Sequence, residues 1–361
     1  MKKWSVLLLM IGMAAGVSAV ETMITCEKIA DEVAVSVRWS SSPSMGYRFY
    51  GRPNMIIGDW DDLSDQVATP GLFATNLPNA QFFFRAESYE LPPPSSGMVM
   101  IVAGTNSGTD PDFGAYSLTV DRFWMDTTEV SKEKWDDVAL WASNNGYNIS
   151  TNKGAAKAAG HPVHSIRYIE SVLYCNARSE MEGRTPCYTE EGVVFRTFDY
   201  VNPFTVDCGF QANGYRLPTG DEWEYAARGG LSGKRFPWGD TITHVKANYY
   251  AYYNNPAYPY DLSTVADAGP HRSYWFDGDV FPYTAPVGDL PVNGYGLFNI
   301  VGNLAEFTNP DGAITKASQQ SSRGGSFNWE ADKVRCGDKT MTGGWLSGDT
   351  RYGFRAVVSA P

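Results

Sequence analysis

Histidine is scarce in this chain: its 361 residues hold four, His161, His164, His244 and His271. None lies in an H-E-x-x-H arrangement. Pro162, between the first two, opposes a helical face that would present both imidazoles to a metal, so all four read as ordinary loop histidines. A phosphate-binding G-x-x-x-x-G-K-S/T loop and a G-x-S-x-G elbow are both missing, and Gly294 and Gly296 lack the third glycine of a dinucleotide fingerprint. Nothing in the residue order supports a Ser-His-Asp triad. Positive charge is in deficit: 29 Lys and Arg against 40 Asp and Glu leave a net charge of −11. That balance argues against nucleic-acid backbone or an anionic membrane surface as partner. Past the N-terminus no apolar run reaches transmembrane length, and no repeat of fixed period occurs.

What the chain has in quantity is glycine, at 36 residues, and aromatic side chains, at 14 %. Rings filling spaces between irregular segments suit a loop-rich fold better than a helix bundle. At 43 % hydrophobic, the chain is long enough for one large domain and a small one.

The N-terminus reads as a secretory signal peptide over residues 1–19. Lys2 and Lys3 precede an apolar run from Val6 to Val17, and Val17-Ser18-Ala19 offers a small-residue cleavage site after Ala19. The run is too short to anchor, and Cys26 does not follow a lipoprotein-type site, so a secreted or periplasmic protein is expected, in a compartment that permits disulfides. Residues 20–90 predict a small β-sandwich-like domain of immunoglobulin or fibronectin type. Val33, Val35, Val37 and Trp39 alternate with Ala34, Ser36 and Arg38, and further strands are expected at Tyr47 to Tyr50 and Gln81 to Arg85. Consecutive prolines in Leu91 to Gly97 predict a solvated linker over 91–97, and a second domain over 98–361.

Three helices are expected in that second domain. Ser131 can cap the first, which carries Trp135, Val138, Ala139 and Ala142 on one face and stops at Asn144-Asn145-Gly146. The second runs from about Tyr168 to Glu182 and ends at Gly183. The third has a capping box, Thr219 with Glu222, and ends at Gly229-Gly230. Beyond Gly230 there is no strong periodicity.

The chain is organised around Asn293 to Thr308, NGYGLFNIVGNLAEFT, where three glycines and a set of large apolar side chains surround one acid, Glu306. A lone carboxylate in such company must be ion-paired, hydrogen-bonded or bound to a metal. This stretch resembles the signature of the sulfatase-modifying-factor family, the formylglycine-generating enzymes and their relatives. FWMDTTEVSKEKW (Phe123 to Trp135), GYRLPTGDEWEYAARGG (Gly214 to Gly230), FPWGD (Phe236 to Asp240), RGGSFN (Arg323 to Asn328) and YGFRAV (Tyr352 to Val357) also resemble family blocks, in family order. The resemblance covers about three quarters of the chain, Met98 to Val358, and a chance match of several ordered blocks is improbable. It implies an α+β, C-type-lectin-like formylglycine-generating-enzyme fold preceded by the small all-β domain.

The resemblance also implies calcium. One site would use Asn299 and Glu306 by side chain with Gly302 and Leu304 by carbonyl. A second would use Asn248 and Asp279 by side chain with Tyr249 and Phe281 by carbonyl. It places the copper-binding thiol pair of the family oxidases at Trp329 and Val334, neither of which ligates Cu(I), so copper is not expected. Cys175 and Cys336 resemble structural family cysteines whose partner positions here are Ala356 and Ala227. Cys187 and Cys208 remain as the expected disulfide. Two functions follow from different classes. One is a non-oxidase binding or structural module with bound calcium and a protein, peptide or glycan ligand. The other is a formylglycine-generating oxidase acting on a sulfatase-type cysteine, or a related enzyme with different chemistry.

Overall fold

The computed structural model describes six strands between residues 22 and 90, and residues 94–360 apart from 150–152, 200, 276–279, 311, 316–319 and 343–347. The expected signal peptide, and Asp279 of the expected second calcium site, lie outside the described residues. The chain forms two units, Met1–Pro92 with Pro361, and Pro93–Ala360.

The first unit holds two three-stranded antiparallel sheets. In one, Glu32–Trp39 lies between Thr22–Ile29 and Leu72–Leu77. In the other, Met45–Arg52 lies between Asp61–Asp62 and Phe83–Glu90, so the strand expected at Tyr47 to Tyr50 and the described part of the one expected at Gln81 to Arg85 fall within it.

The expected free linker is only partly free. Arg184 donates to the Pro94 carbonyl at 3.0 Å and Arg178 to the Ser95 hydroxyl at 2.9 Å, while the Gly97 carbonyl accepts the Thr127 amide at 2.8 Å. One arginine of the second unit takes up the Pro94 carbonyl and another the Ser95 hydroxyl, so Pro94 to Gly97 belong to that unit.

In the second unit, helix α1 (Lys132–Ser143) starts where Ser131 accepts the Lys134 amide, and it buries Trp135, Val138, Ala139 and Ala142. Helix α2 (Tyr168–Met181) is capped by Arg167, whose amide is bonded by the Glu170 carboxylate at 2.7 Å. Helix α3 (Gly220–Arg228) has the reciprocal Thr219 and Glu222 bonds and ends at Gly229 in the left-handed region. Trp135 stacks on Tyr174 at 5.3 Å with Phe354 edge-on to both, which locks α1 and α2 to the C-terminal segment.

The helices accompany short antiparallel strands. One sheet orders Tyr215–Arg216, Val357–Ser359, Phe123–Asp126 and Met98–Ile101. A second orders Thr340–Thr342, Gln320–Arg323, Ala305–Thr308 and Tyr352–Gly353, the last pair parallel. The C-terminal strand Tyr352–Gly353 therefore pairs with Ala305–Thr308, the end of the segment Asn293–Thr308. Between Gly230 and Leu304 the described residues hold only a 3-10 turn, Val265–Asp267, and a one-turn helix, Arg272–Trp275, besides isolated bridges.

Candidate functional site

Glu306 is fully buried, and its charge is met by a partner 49 residues away: Arg355 donates to Oε1 at 2.6 Å and to Oε2 at 2.8 Å. The Trp223 indole adds a third bond to Oε2 at 2.7 Å. Arg355 spends its other donors on the carbonyls of Asp126, Thr127 and Phe298. In the described structure the Arg355 guanidinium offsets the desolvation of Glu306.

A second buried acid, Glu129, which the sequence analysis does not single out, is in no ion pair among the described residues. It is fully buried and accepts bonds from Asn303 Nδ2 at 2.9 Å, the Leu304 amide at 3.2 Å and Asn299 Nδ2 at 3.4 Å. Burial first, and then the nearby Glu306 carboxylate, push its pKa up to about 8, against the pull of Arg355. Two buried acids thus share one guanidinium. Beside them the Asn299 Oδ1 is buried and accepts no hydrogen bond. A hard cation would satisfy both the unpaired oxygen and the excess negative charge.

Asn248, of the second expected site, shows the same feature. Its Nδ2 donates to the Tyr283 carbonyl at 2.8 Å and to Asn303 Oδ1 at 3.1 Å, while its Oδ1 is buried and unpaired. One main-chain position of this site is less available. The Tyr249 carbonyl lies 3.0 Å from His244 Nε2. Asn303 ties the two places together, since its Oδ1 also accepts the Ala285 amide at 2.7 Å. Gly302, at φ +77°, lies against Asn248: a Cβ there would meet the Asn248 carbonyl oxygen at 2.4 Å. The loop can approach Asn248 only as glycine.

The positions expected for a copper thiol pair hold no sulfur. Trp329 is half-buried, its ring edge-on to Tyr352 at 5.9 Å and its carbonyl bonded by the Tyr250 amide at 2.9 Å. Val334 is fully buried core. The nearest cysteine in sequence, Cys336, is also fully buried, and burial pushes its thiol up to about 12. The residues here do not fit Cu(I), which requires accessible thiolates.

Cys187 and Cys208 sit side by side, since Tyr188 pairs with Cys208 across two strands and the Gly209 amide bonds the Cys187 carbonyl at 2.7 Å. Both thiols, with Cys175, are unbonded here. Burial raises Cys187 to about 11 and Cys208 to about 12. Ala227 and Ala356, where half-cystine partners were sought, are fully buried core.

Comparison with known proteins bears on this arrangement. Residues 86–360 match the sulfatase-modifying factor enzyme 1-like domain. The chain is 30 % identical over 264 residues to the formylglycine-generating enzyme of Mus musculus, covering 64 % of this chain and 66 % of that enzyme. It is 28 % identical over 235 residues to the chaperone protein LppX of Paenibacillus barcinonensis, covering 59 % and 71 %. Among solved structures, CarF superposes with a TM-score of 0.55 at 23 % identity, over 73 % of this chain and 98 % of that one. The loop-rich α+β architecture is therefore the formylglycine-generating-enzyme fold. With the blocks around Glu129, Glu306 and Arg355 all inside the matched residues, the chain belongs to the sulfatase-modifying factor enzyme 1-like family.

Proposed function

We propose that this protein is an exported binding module on the formylglycine-generating-enzyme fold, holding calcium and lacking the oxidase chemistry of the family's enzymes. The observation that carries the reading is the pair Trp329 and Val334 at the expected thiol positions, one a ring and the other sealed in the core. Oxidising a cysteine with O₂ requires a redox centre, and none of the described thiols is poised as a thiolate.

Calcium would be held at Asn299 through its unpaired Oδ1, with the carbonyls of Gly302 and Leu304 and the acids Glu306 and Glu129 close by. The second site would use Asn248 Oδ1, with Tyr249, Asp279 and Phe281 as its further ligands. The ion supplies cross-linking charge. It would fix the 299–306 loop against Glu129, with no part in bond making. The N-terminal sequence supports export.

Titration of the purified protein with Cu(I) against a competing chelator tests the non-oxidase reading. No stoichiometric Cu(I) uptake is expected. One tightly held Cu(I) per chain, lost on Cys336→Ala, would contradict it.

A further inference from the structure

Six of the twelve residues from Tyr249 to Tyr260 are tyrosines. Tyr249 is core, its hydroxyl bonded to Asp261 at 2.7 Å. Four of the others line up outside it. Tyr250 and Tyr252 have ring centroids 5.3 Å apart, Tyr252 and Tyr258 5.9 Å, and Tyr258 and Tyr260 6.4 Å. All three pairs are tilted by 40° to 53°. Phe236 continues the row to Trp238. Tyr258 and Trp238 rest on the core and are half-buried, and Tyr252 is 37 % exposed. The row begins beside Trp329, whose carbonyl holds the Tyr250 amide, so it opens where the family's oxidases keep their thiols.

Two polar features decide what such a row would bind. Among the described residues the hydroxyls of Tyr250, Tyr252 and Tyr258 make no hydrogen bond, and the Glu330 carboxylate is in no ion pair. Glu330 stands beside the row: burial of the rings raises the Tyr252 and Tyr258 pKa values first, and the Glu330 charge raises both further, after that of Asp332 in the case of Tyr258. An apolar peptide or protein face laid here would strip water from three phenols and a carboxylate without replacing it. A polyanion would meet Glu330 head-on. A neutral chain with apolar C–H faces and many hydroxyls would stack on the rings and satisfy every polar tip.

We infer that the Tyr250–Tyr252–Tyr258 row with Glu330 is a binding surface for a neutral polysaccharide. The inference rests on reading the protein as a binding module. The Cu(I) titration reads that separately, so copper-free protein that binds no polysaccharide would sink the row alone.

The test is native affinity electrophoresis of the full chain in gels containing xylan, glucomannan, galactomannan or soluble cellulose ether, with polygalacturonate as the acidic counterpart. At least one neutral polymer should retard the protein. Tyr252→Ala and Tyr258→Ala should each weaken retardation about tenfold, as truncation of a central aromatic anchor does. Tyr252→Phe, which keeps the ring, should bind within a few-fold of wild type. Should an alanine variant fail to fold, Glu330→Gln, away from the core, should still weaken binding measurably. Absence of retardation by all four neutral polymers, retardation by polygalacturonate alone, or unchanged binding in Tyr252→Ala and Glu330→Gln would overturn the inference.

Discussion

Asn299 and Asn248 each keep a buried side-chain oxygen without a donor, and that is the strongest residue-level argument for cations in this fold. An amide oxygen out of water without a partner costs on the order of 1–3 kcal/mol. By mass action, calcium at a hundredfold excess over its Kd adds about 2.7 kcal/mol. Wild-type protein should therefore melt higher in calcium than in chelator. Asn299→Ala should lose most of that difference, and identical wild-type melting curves in the two conditions would contradict the calcium proposal. His164 makes a different residue-level prediction. It is 3 % exposed, its Nε2 has no partner, and desolvation lowers its pKa from 6.5 to about 4. Because the folded state holds the ring neutral while the unfolded chain protonates it, its contribution is fully present above pH 6.5. It is lost as pH falls toward about 4. The loss approaches about 1.4 kcal/mol per pH unit in that window. Chemical denaturation between pH 7 and pH 4.5 should show a steeper fall for wild type than for His164→Asn, and equal slopes would refute the assignment.

At the scale of elements, the parts legible in the sequence are those whose signals are local. Ser131 and Thr219 mark helix starts because a short hydroxyl side chain accepts amides three residues on, and the structure has both bonds. The apolar spacing of Trp135, Val138, Ala139 and Ala142 identifies a buried face because helical geometry repeats every 3.6 residues. Long-range pairing leaves no such trace. Glu306 with Arg355, 49 residues apart, and Glu129 with Asn299, 170 apart, are joined only by the tertiary fold, so the sequence leaves open whether Glu306 is ion-paired, hydrogen-bonded or metal-bound and does not single out Glu129. Between Gly230 and Leu304 the chain is held by ring contacts, side chain to backbone bonds and isolated bridges, which have no period to read. The strand pair carrying Tyr188 and Cys208 gives the element-level prediction. An oxidised Cys187–Cys208 bridge would close about twenty residues and add roughly 3 kcal/mol on the chain-entropy estimate. Non-reducing peptide mapping of exported protein should find it. Two free thiols, or Cys187 joined to the adjacent Cys175, would reject it.

For the whole molecule, a net charge of −11 and a fold matched over residues 86–360 describe a family scaffold whose chemistry depends on a few side chains. The scaffold carries buried ion pairs: Arg355 with Glu306, Arg178 with Asp126, and Arg228 with Asp110 and Glu224. These hold the loops whether or not any oxidation follows, since each charge is met by a hydrogen-bonded partner in the interior. The surface beside Trp329 carries a row of rings. The measurement that tests the non-oxidase reading most directly is to load the purified protein with Cu(I) under oxygen, offer a cysteine-containing sulfatase-type peptide, and assay for aldehyde by mass spectrometry. The account predicts no aldehyde above a metal-free control. Aldehyde formation that depends on copper and is abolished by Cys336→Ala would contradict it.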